Sequence, residues 1–448
     1  MAGKKKPIII ALIVIAAILL ILIITPFFID ADRFRPDIEA ALTEKLGRKV
    51  QIGHLTVSLF SGSLKADQIS IADDPAFSTG DFLTAKSLAI GVDVMPLIFS
   101  KQLHVHSLEI SGPQVELLRT AAGQWNFSTL GGPAPEKAKT AASSDPPGDP
   151  PAAQGSAATM ASNLTVDSLK ISNGTVSLAR AREAAGATSI YQSVNISAQN
   201  ISQTAAFPFQ FDAKTPSGGK LNLTGNVGPL GAGDASHLPF EGQLKAQSVP
   251  AEDIENLLSV LGYALPAGSS LKGGTIKADL ALHGPLEGFV TQGPVSLSNV
   301  TLAGFSLSSK LAGALGQSGA QTGNDTVIKV ASSNVRYGPD GVRADSVDIE
   351  IPMIGSVTGS GTVGANNSLD FHLIAKLEGS NPLAKLTQLP LFNKGGGVPF
   401  HVAGTTSNPQ VTADIAGLNK TPLNQLKIPN QSQLGGVLGG LLKKKKPQ

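Results

Sequence analysis

Residues Ile8 to Ile24 are apolar throughout, with no charged or hydroxyl side chain among them. With Pro7 before and Thr25-Pro26-Phe27-Phe28-Ile29 after, the run reaches roughly 20 residues, the length that crosses about 30 Å of hydrocarbon. A cleaved signal peptide has a shorter apolar core and a small-x-small site, and Phe27-Phe28-Ile29-Asp30 offers none. The pattern predicts an uncleaved transmembrane helix over 7–29. A short helix follows, from the first-turn residue Pro36 to the stop at Gly47, with Ile38, Leu42 and Leu46 on one stripe. After Gly47 the period falls to two. Val50-Gln51-Ile52, His54 to Leu59, Leu64 to Ile71 and Ile90 to Val94 alternate, separated by Ser61-Gly62, Asp73-Asp74-Pro75 and Ser111-Gly112-Pro113. Half-buried strands joined by short turns are expected.

Residues 131–162 break the pattern. Of these 32 residues, 23 are Ala, Pro, Gly or Ser, too little apolar side chain to bury a core, so 132–162 reads as a disordered linker or long loop. Alternation resumes at Asn163. Phe207, Phe209 and Phe211 share one strand face. So do Ile276, Ala278, Leu280 and Leu282, opposite Lys277, Asp279 and His283. Leu369, Phe371, Leu373, Ala375 and Leu377 lie opposite Asp370, His372, Lys376 and Glu378, with Ile374 out of step. Val398, Phe400 and Val402 repeat the motif. Two further helices are expected, at about Glu252–Leu261 and near Ser308–Leu315.

One segment echoes another. Residues 103–117 and 164–178 match without gaps at eight of fifteen positions, mostly on the apolar face. This reads as a repeated strand–turn–strand unit in a sheet that grows by adding similar hairpins.

Composition sharpens the class. The 448 residues include 49 Gly and 29 Pro, with 15% charged and 5% aromatic residues, a balance suited to many short strands and turns. Lys4–Lys6 open the chain and Lys443–Lys446 close it; without those seven the body holds 28 basic against 33 acidic residues. A nucleic-acid binder keeps its positive excess on the folded body, so no nucleic-acid partner is expected. Lys4–Lys6 put the N-terminus on the cytoplasmic side, leaving a translocated body. Apolar residues before Lys443, Lys444, Lys445 and Lys446 give a candidate contact with an anionic membrane surface; a solubilising tail is the alternative. The chain has no Cys, which excludes disulfides and thiolate chemistry.

Little else suggests chemistry. Gly359 to Gly364 fits G-x-G-x-x-G, but Ala365-Asn366-Asn367-Ser368 follows, a turn and not a helix, so no dinucleotide cofactor is expected. His104 and His106 point to one strand face, with no carboxylate at matching spacing, and read as a partly exposed polar pair. Asp73-Asp74 beside Pro75 suits a turn. Asn126, Asn163, Asn173 and Asn195 open Asn-x-Ser/Thr triplets. No base–nucleophile–orienter set can be assembled, so catalytic residues, metal and cofactor are all expected to be absent.

The order of features resembles the AsmA family. Arg35-Pro36-Asp37-Ile38 leads to Thr43 through Gly47-Arg48-Lys49-Val50, then Val92-Asp93-Val94-Met95-Pro96-Leu97, Leu108 to Pro113 and Gly123-Gln124-Trp125-Asn126-Phe127. These are similar to that family's "T-G-R-x-V" helix exit, "L-x-V-x-V-x-P-L" strand and "G-x-x-N-W" block end. Here Leu46 replaces a small residue and Trp125-Asn126 are reversed. Val398-Pro399-Phe400-His401-Val402-Ala403-Gly404-Thr405 and Asn408-Pro409 resemble its ending. The resemblance covers residues 1–131 and about 380–416. It implies a single-pass bacterial inner-membrane protein with a periplasmic body, linked to outer-membrane biogenesis and phospholipid movement along a β-groove.

Physical chemistry offers a parallel route. A sheet with one apolar face must cover it, and few helical stretches are available. Either the sheet closes on itself, or it curls into a trough covered by acyl chains, each CH₂ contributing about 0.8 kcal/mol. At ~11 residues per strand and turn, roughly 30 strands are expected; at ~4.8 Å spacing one sheet would run on the order of 145 Å. The expected fold is mainly β: one N-terminal transmembrane helix, then an elongated, curled antiparallel sheet forming an apolar groove, with a few short helices. The divisions are a cytoplasmic basic end (1–6), the membrane helix (7–29), a helix-plus-β region (30–131), the linker (132–162), a β-groove region (163–416) and a flexible tail (417–448). The candidate lining is Phe207, Phe209, Phe211, Ile276, Leu280, Leu282, Leu369, Phe371, Leu373, Leu377, Phe400 and Val402. The expected partners are phospholipid acyl chains, the inner membrane through 7–29, and the outer membrane or a partner there at the C-terminal end. The competing reading is a structural scaffold or outer-membrane protein assembly factor with a filled β core.

Overall fold

Helix and sheet edge meet first in the N-terminal part of the chain. The computed structural model describes residues 31–58, 62–93, 104–131, 165–181, 188–230, 238–285, 288–315, 323–377 and 397–414. The expected membrane helix 7–29, both lysine ends, the linker 132–162 and the tail 417–448 lie outside them. Among the described residues no helix is long and apolar enough to cross a membrane. The chain divides into two units, Met1–Phe211 with Gly228–Ala232, and Asp212–Val227 with Gly233–Gln448.

In the first unit a 3₁₀ turn, Ala31–Phe34, leads into α1 (Arg35–Leu46), which carries Pro36 in its first turn and ends on left-handed Gly47. Seven strands follow: β1 (Val50–Ser58), β2 (Ser63–Ala72), β3 (Asp81–Val92), β4 (His104–Ser111), β5 (Gln114–Arg119), β6 (Thr165–Arg180) and β7 (Ser189–Ile201). β8 (Phe207–Lys214) is shared between the units. Ile38 and Leu46 of α1 pack on Val50, Ile52, Leu55 and Ala66. The expected third member of that stripe, Leu42, is exposed instead. The reason is that α1 turns polar side chains to the edge of β1. Glu39 accepts from the Ile52 N–H (2.6 Å), Thr43 from the Val50 N–H (3.1 Å) and Asp32 from the Leu55 N–H (2.8 Å), while Arg35 donates to the Gly53 carbonyl (2.7 Å). An edge strand with open N–H groups invites foreign strands; here the 3₁₀ turn and the helix satisfy them.

The sequence echo has a direct structural meaning. β4 and β5 both run parallel to β6, with His104 opposite Thr165, Ile110 opposite Ile171, Val115 opposite Val176 and Leu117 opposite Leu178. The register equals the offset of the repeat, so each apolar residue stacks on its own copy. This corrects two expectations. The sheet of this unit is mixed, not antiparallel. Ser111-Gly112-Pro113 is no reversal; it joins two collinear strands. Parallel neighbours need a long crossover, and the stretch between Arg119 and Thr165 that contains the expected linker supplies it.

A crease crosses this sheet. Gln68 on β2, Gly112 between β4 and β5, Asn173 on β6 and Ser193 on β7 all have φ between 50° and 56°. Gly112 and Asn173 are equivalent positions of the repeat, and the register of β6 with β7 shifts at Gly174. Left-handed residues inside strands bend them and increase their twist. Their alignment bends neighbouring strands at one place.

The second unit holds β9 (Lys220–Val227), β10 (Pro239–Pro250), α2 (Ala251–Val260), β11 (Ser270–Lys272), β12 (Thr275–Pro285), β13 (Val290–Ala303), α3 (Leu307–Ala314), β14 (Thr326–Gly338), β15 (Gly341–Ile351), β16 (Gly355–Gly364), β17 (Leu369–Leu377), β18 (Val398–Gly404) and β19 (Pro409–Ala413). Its pairings are antiparallel, and from β12 to β19 each strand pairs with the next. Both expected helices form. α2 also closes an edge, since Glu255 and Glu252 accept from the Leu271 and Gly273 N–H groups of β11 and its turn (2.7 and 2.8 Å). The described residues hold nineteen strands rather than roughly 30, because they run up to 16 residues.

Candidate functional site

Antiparallel register carries the period-two pattern across the second unit as rows. One row runs Ile276, Leu297, Ala331, Ile349, Val357, Ala375, Val398. Another runs Leu282, Thr291, Tyr337, Val342, Val363, Leu369. Leu280 pairs with Leu244 and, beyond it, Leu223; Phe371 pairs with Val402, and Leu373 with Phe400. The nine candidate lining residues of β12, β17 and β18 therefore share one apolar face. Phe207, Phe209 and Phe211 belong to the first unit, where Phe207 is buried and the other two are half-buried.

That face is covered unevenly. Leu311, Ala312 and Leu315, on and just after α3, fill a core with Ile354, Val357, Leu373, Ala375, Leu377, Val398 and Phe400, and Phe371 and Val402 pack at its margin. Ala251 of α2 buries Ile276 and Val300, with Ile254 against them. Leu373, Leu377, Phe400 and Ile276 are thus surrounded by protein. Leu223, Leu244, Leu280, Leu282, Val342, Val363 and Leu369 lie outside both clusters and are only half-buried. An open hollow of about 490 Å³ lies where the register shifts after Ala246 on β10 and at Ser346 on β15, lined by Ala246, Ala278 and Val295 but also by Lys245, Lys277, Asp279 and Asn334. That volume is within the range of small-molecule sites.

The first unit is pinned by a buried polar clamp. Arg48 donates to Asp73 at 2.6 Å, to the Asn126 carbonyl and to the Thr129 hydroxyl at 2.8 Å. The Asn126 amide donates to Asp73 (2.9 Å) and to the Glu116 carbonyl (2.8 Å), and its oxygen accepts from the Leu118 N–H (3.1 Å). Arg48 also stands 5.4 Å over the Phe82 ring. Burial, then the charge of Asp73, pushes the Glu116 carboxyl up. Asp74 is held low chiefly by the Ala76 N–H, against burial and helped by Thr129 and Arg48. The Gly-Arg of the helix exit and the Trp-Asn of the block end, about 80 residues apart, meet here. Asn126 is fully buried, so its triplet is no modification site. Asp73 and Asp74 do lead into a turn, at 75–77, but Asp73 serves there as the partner of Arg48.

His104 and His106 do have carboxylates, which strand spacing could not show. Asp93 takes His104 Nδ1 at 2.5 Å and His106 Nδ1 at 3.2 Å, and Asp167, from the crossover partner β6, lies 3.0 Å from His104 Nε2. The hydrogen bond to Asp167, then that to Asp93, holds the His104 imidazole above its ordinary value, and the bond from His104 holds Asp93 below its own. A raised folded-state histidine adds stability fully present below about pH 6.5 and lost as pH rises through its folded value; a depressed aspartate adds stability present above about pH 4 and lost as pH falls. The first unit should therefore lose stability as pH rises from 6.5, and His104→Gln should flatten that loss in urea titrations at pH 6 and 8.5. An unchanged decline in the variant would refute the assignment.

Gly359 to Gly364 lies inside β16, as strand material and not a phosphate loop. A family model described as the AsmA family matches residues 3–256, more than half of the chain. The late segment near Val398–Pro409 lies beyond that match. No curated protein matches the chain.

Proposed function

The chain belongs to the AsmA family, and from that premise we propose that it is a cell-envelope protein that binds phospholipid acyl chains on the second unit and passes them along it. In this reading residues 7–29 anchor it in a bacterial inner membrane and the body serves outer-membrane biogenesis from the periplasm, without catalysis. The observation that supports it is the set of rows through Leu280 and Leu282. The first is leucine on three strands and the second is aliphatic at four of its six positions, and these leucines and valines lie outside the clusters under both helices. Acyl chains are the natural cover for such a surface.

The test is native mass spectrometry of the full chain extracted in mild detergent. Phospholipid should be retained. Leu280→Gln with Leu282→Gln removes contact with about two methylenes, roughly 1.6 kcal/mol, and should lower retention about tenfold. Lys277→Gln with His283→Gln, on the opposite face, should leave it unchanged. Lipid-free protein would favour the other reading, a scaffold or assembly factor with a filled core, which the packed cluster under α3 supports locally.

A further inference from the structure

We propose that Asp370, His372 and His401 form a binding site for a borderline first-row divalent cation of the Zn²⁺ type, on the polar face of the second unit. Asp370 and His372 are two apart on β17, so their side chains leave the same face. His401 of β18 is in register with His372, and the two rings are already stacked, with centroids 4.5 Å apart and planes 25° from parallel. Asp370 Oδ1 lies 2.7 Å from His401 Nε2 and 3.6 Å from His372 Nδ1, and one ligand atom from each residue falls within 4.8 Å of the others.

Zinc bonds of about 2.0–2.2 Å at tetrahedral angles place ligand atoms about 3.3 Å apart. The two carboxylate-to-imidazole distances straddle that value, so small side-chain adjustments complete three positions, and water reaches the fourth because the face is exposed. Two imidazoles and a carboxylate select Zn²⁺, Cu²⁺ or Ni²⁺ over Ca²⁺ or Mg²⁺, which take oxygen sets. The positions facing the three ligands are Thr362, Ser360 and Thr412, so no lysine or arginine there competes with the cation. The cluster differs from that at His104, where carboxylates already hold both ring nitrogens of one imidazole, Asp93 at Nδ1 and Asp167 at Nε2. A bound ion would tie β17 to β18 across the stretch of chain that separates them.

The experiment is titration of the full, chelator-stripped chain in detergent with Zn²⁺ against a chromophoric chelator. One equivalent should bind. Loss of a second-shell partner costs roughly 10–100-fold in metal affinity, so His372→Ala with His401→Ala, which removes two ligands, should weaken binding by more than that. Asp370→Asn should weaken it less, and His104→Gln with His106→Gln should leave it unchanged. Asp370 and His372 are exposed and His401 half-buried, and matched circular dichroism spectra would show the variants folded. No Zn²⁺ uptake by the parent chain, unchanged uptake by His372→Ala with His401→Ala, or loss of uptake in the His104/His106 variant would each overturn the proposal.

Discussion

Arg48→Ala should destabilise the first unit by about 3–5 kcal/mol, the cost of removing one partner from a buried ion pair. The side chains of Arg48 and Asp73 are 4% and 0% exposed, so truncating the arginine leaves a buried carboxylate without its counter-charge, held only by the Asn126 amide and the Asp74 N–H. It also leaves the Asn126 carbonyl with only the long bond from the Thr129 hydroxyl, at 3.5 Å. Against a typical domain stability of about 5–15 kcal/mol, that loss is large. The chain has one tryptophan, and Trp125 stacks on Phe127 and lies under Arg119, one residue from the clamp. Its fluorescence in urea therefore reports this unit. Asp73→Leu alone should cost a similar amount by leaving a buried cation. Arg48→Met with Asp73→Leu should be less damaging than either single change, because no lone charge remains. A midpoint shift under about 1 kcal/mol for Arg48→Ala, or simple additivity in the double variant, would show that the clamp does not hold the unit together.

Local period carried much of the architecture into the sequence. Pro36 and Gly47 bracket α1, and the alternation around Leu369 and Phe371 marks β17 and its two faces. What local pattern could not show was contact across distance. Leu42 obeys the helical period, yet α1 spends that side on the backbone of β1. The echo of 103–117 in 164–178 was visible, but hairpin growth and parallel stacking predict the same matches. Only the register, with Ile110 beside Ile171, distinguishes them. Arg48 stood out only through its place in a resemblance, and Asn126 through that and a triplet that has no bearing on the clamp. Asp93 and Asp167 could not be assigned to His104, because one lies eleven residues away and the other 63. The third ligand position, His401, likewise becomes adjacent to Asp370 and His372 only through strand pairing.

The apolar face was legible as a face, but not as two regions of different character, and Phe400 separates them. Phe400 is 1% exposed and packs with Leu373, Val398 and the α3 cluster. Phe400→Ala should cost about 3–5 kcal/mol through lost transfer energy and the cavity left behind. Residues that line an open surface lose far less on truncation, since solvent or ligand fills the gap; Leu280→Ala should cost under about 1.5 kcal/mol. Lipid retention should order the two variants in reverse. Leu280→Ala should lose phospholipid while staying folded, and Phe400→Ala, at a temperature where it remains folded, should keep it. Thermal denaturation paired with lipid analysis of each variant reads both axes. If Phe400→Ala sheds lipid as readily as Leu280→Ala, the core under α3 is part of the conduit. If Leu280→Ala is as destabilising as Phe400→Ala, the rows beyond the helices are already sealed by protein, and no hydrocarbon chain is needed to cover them.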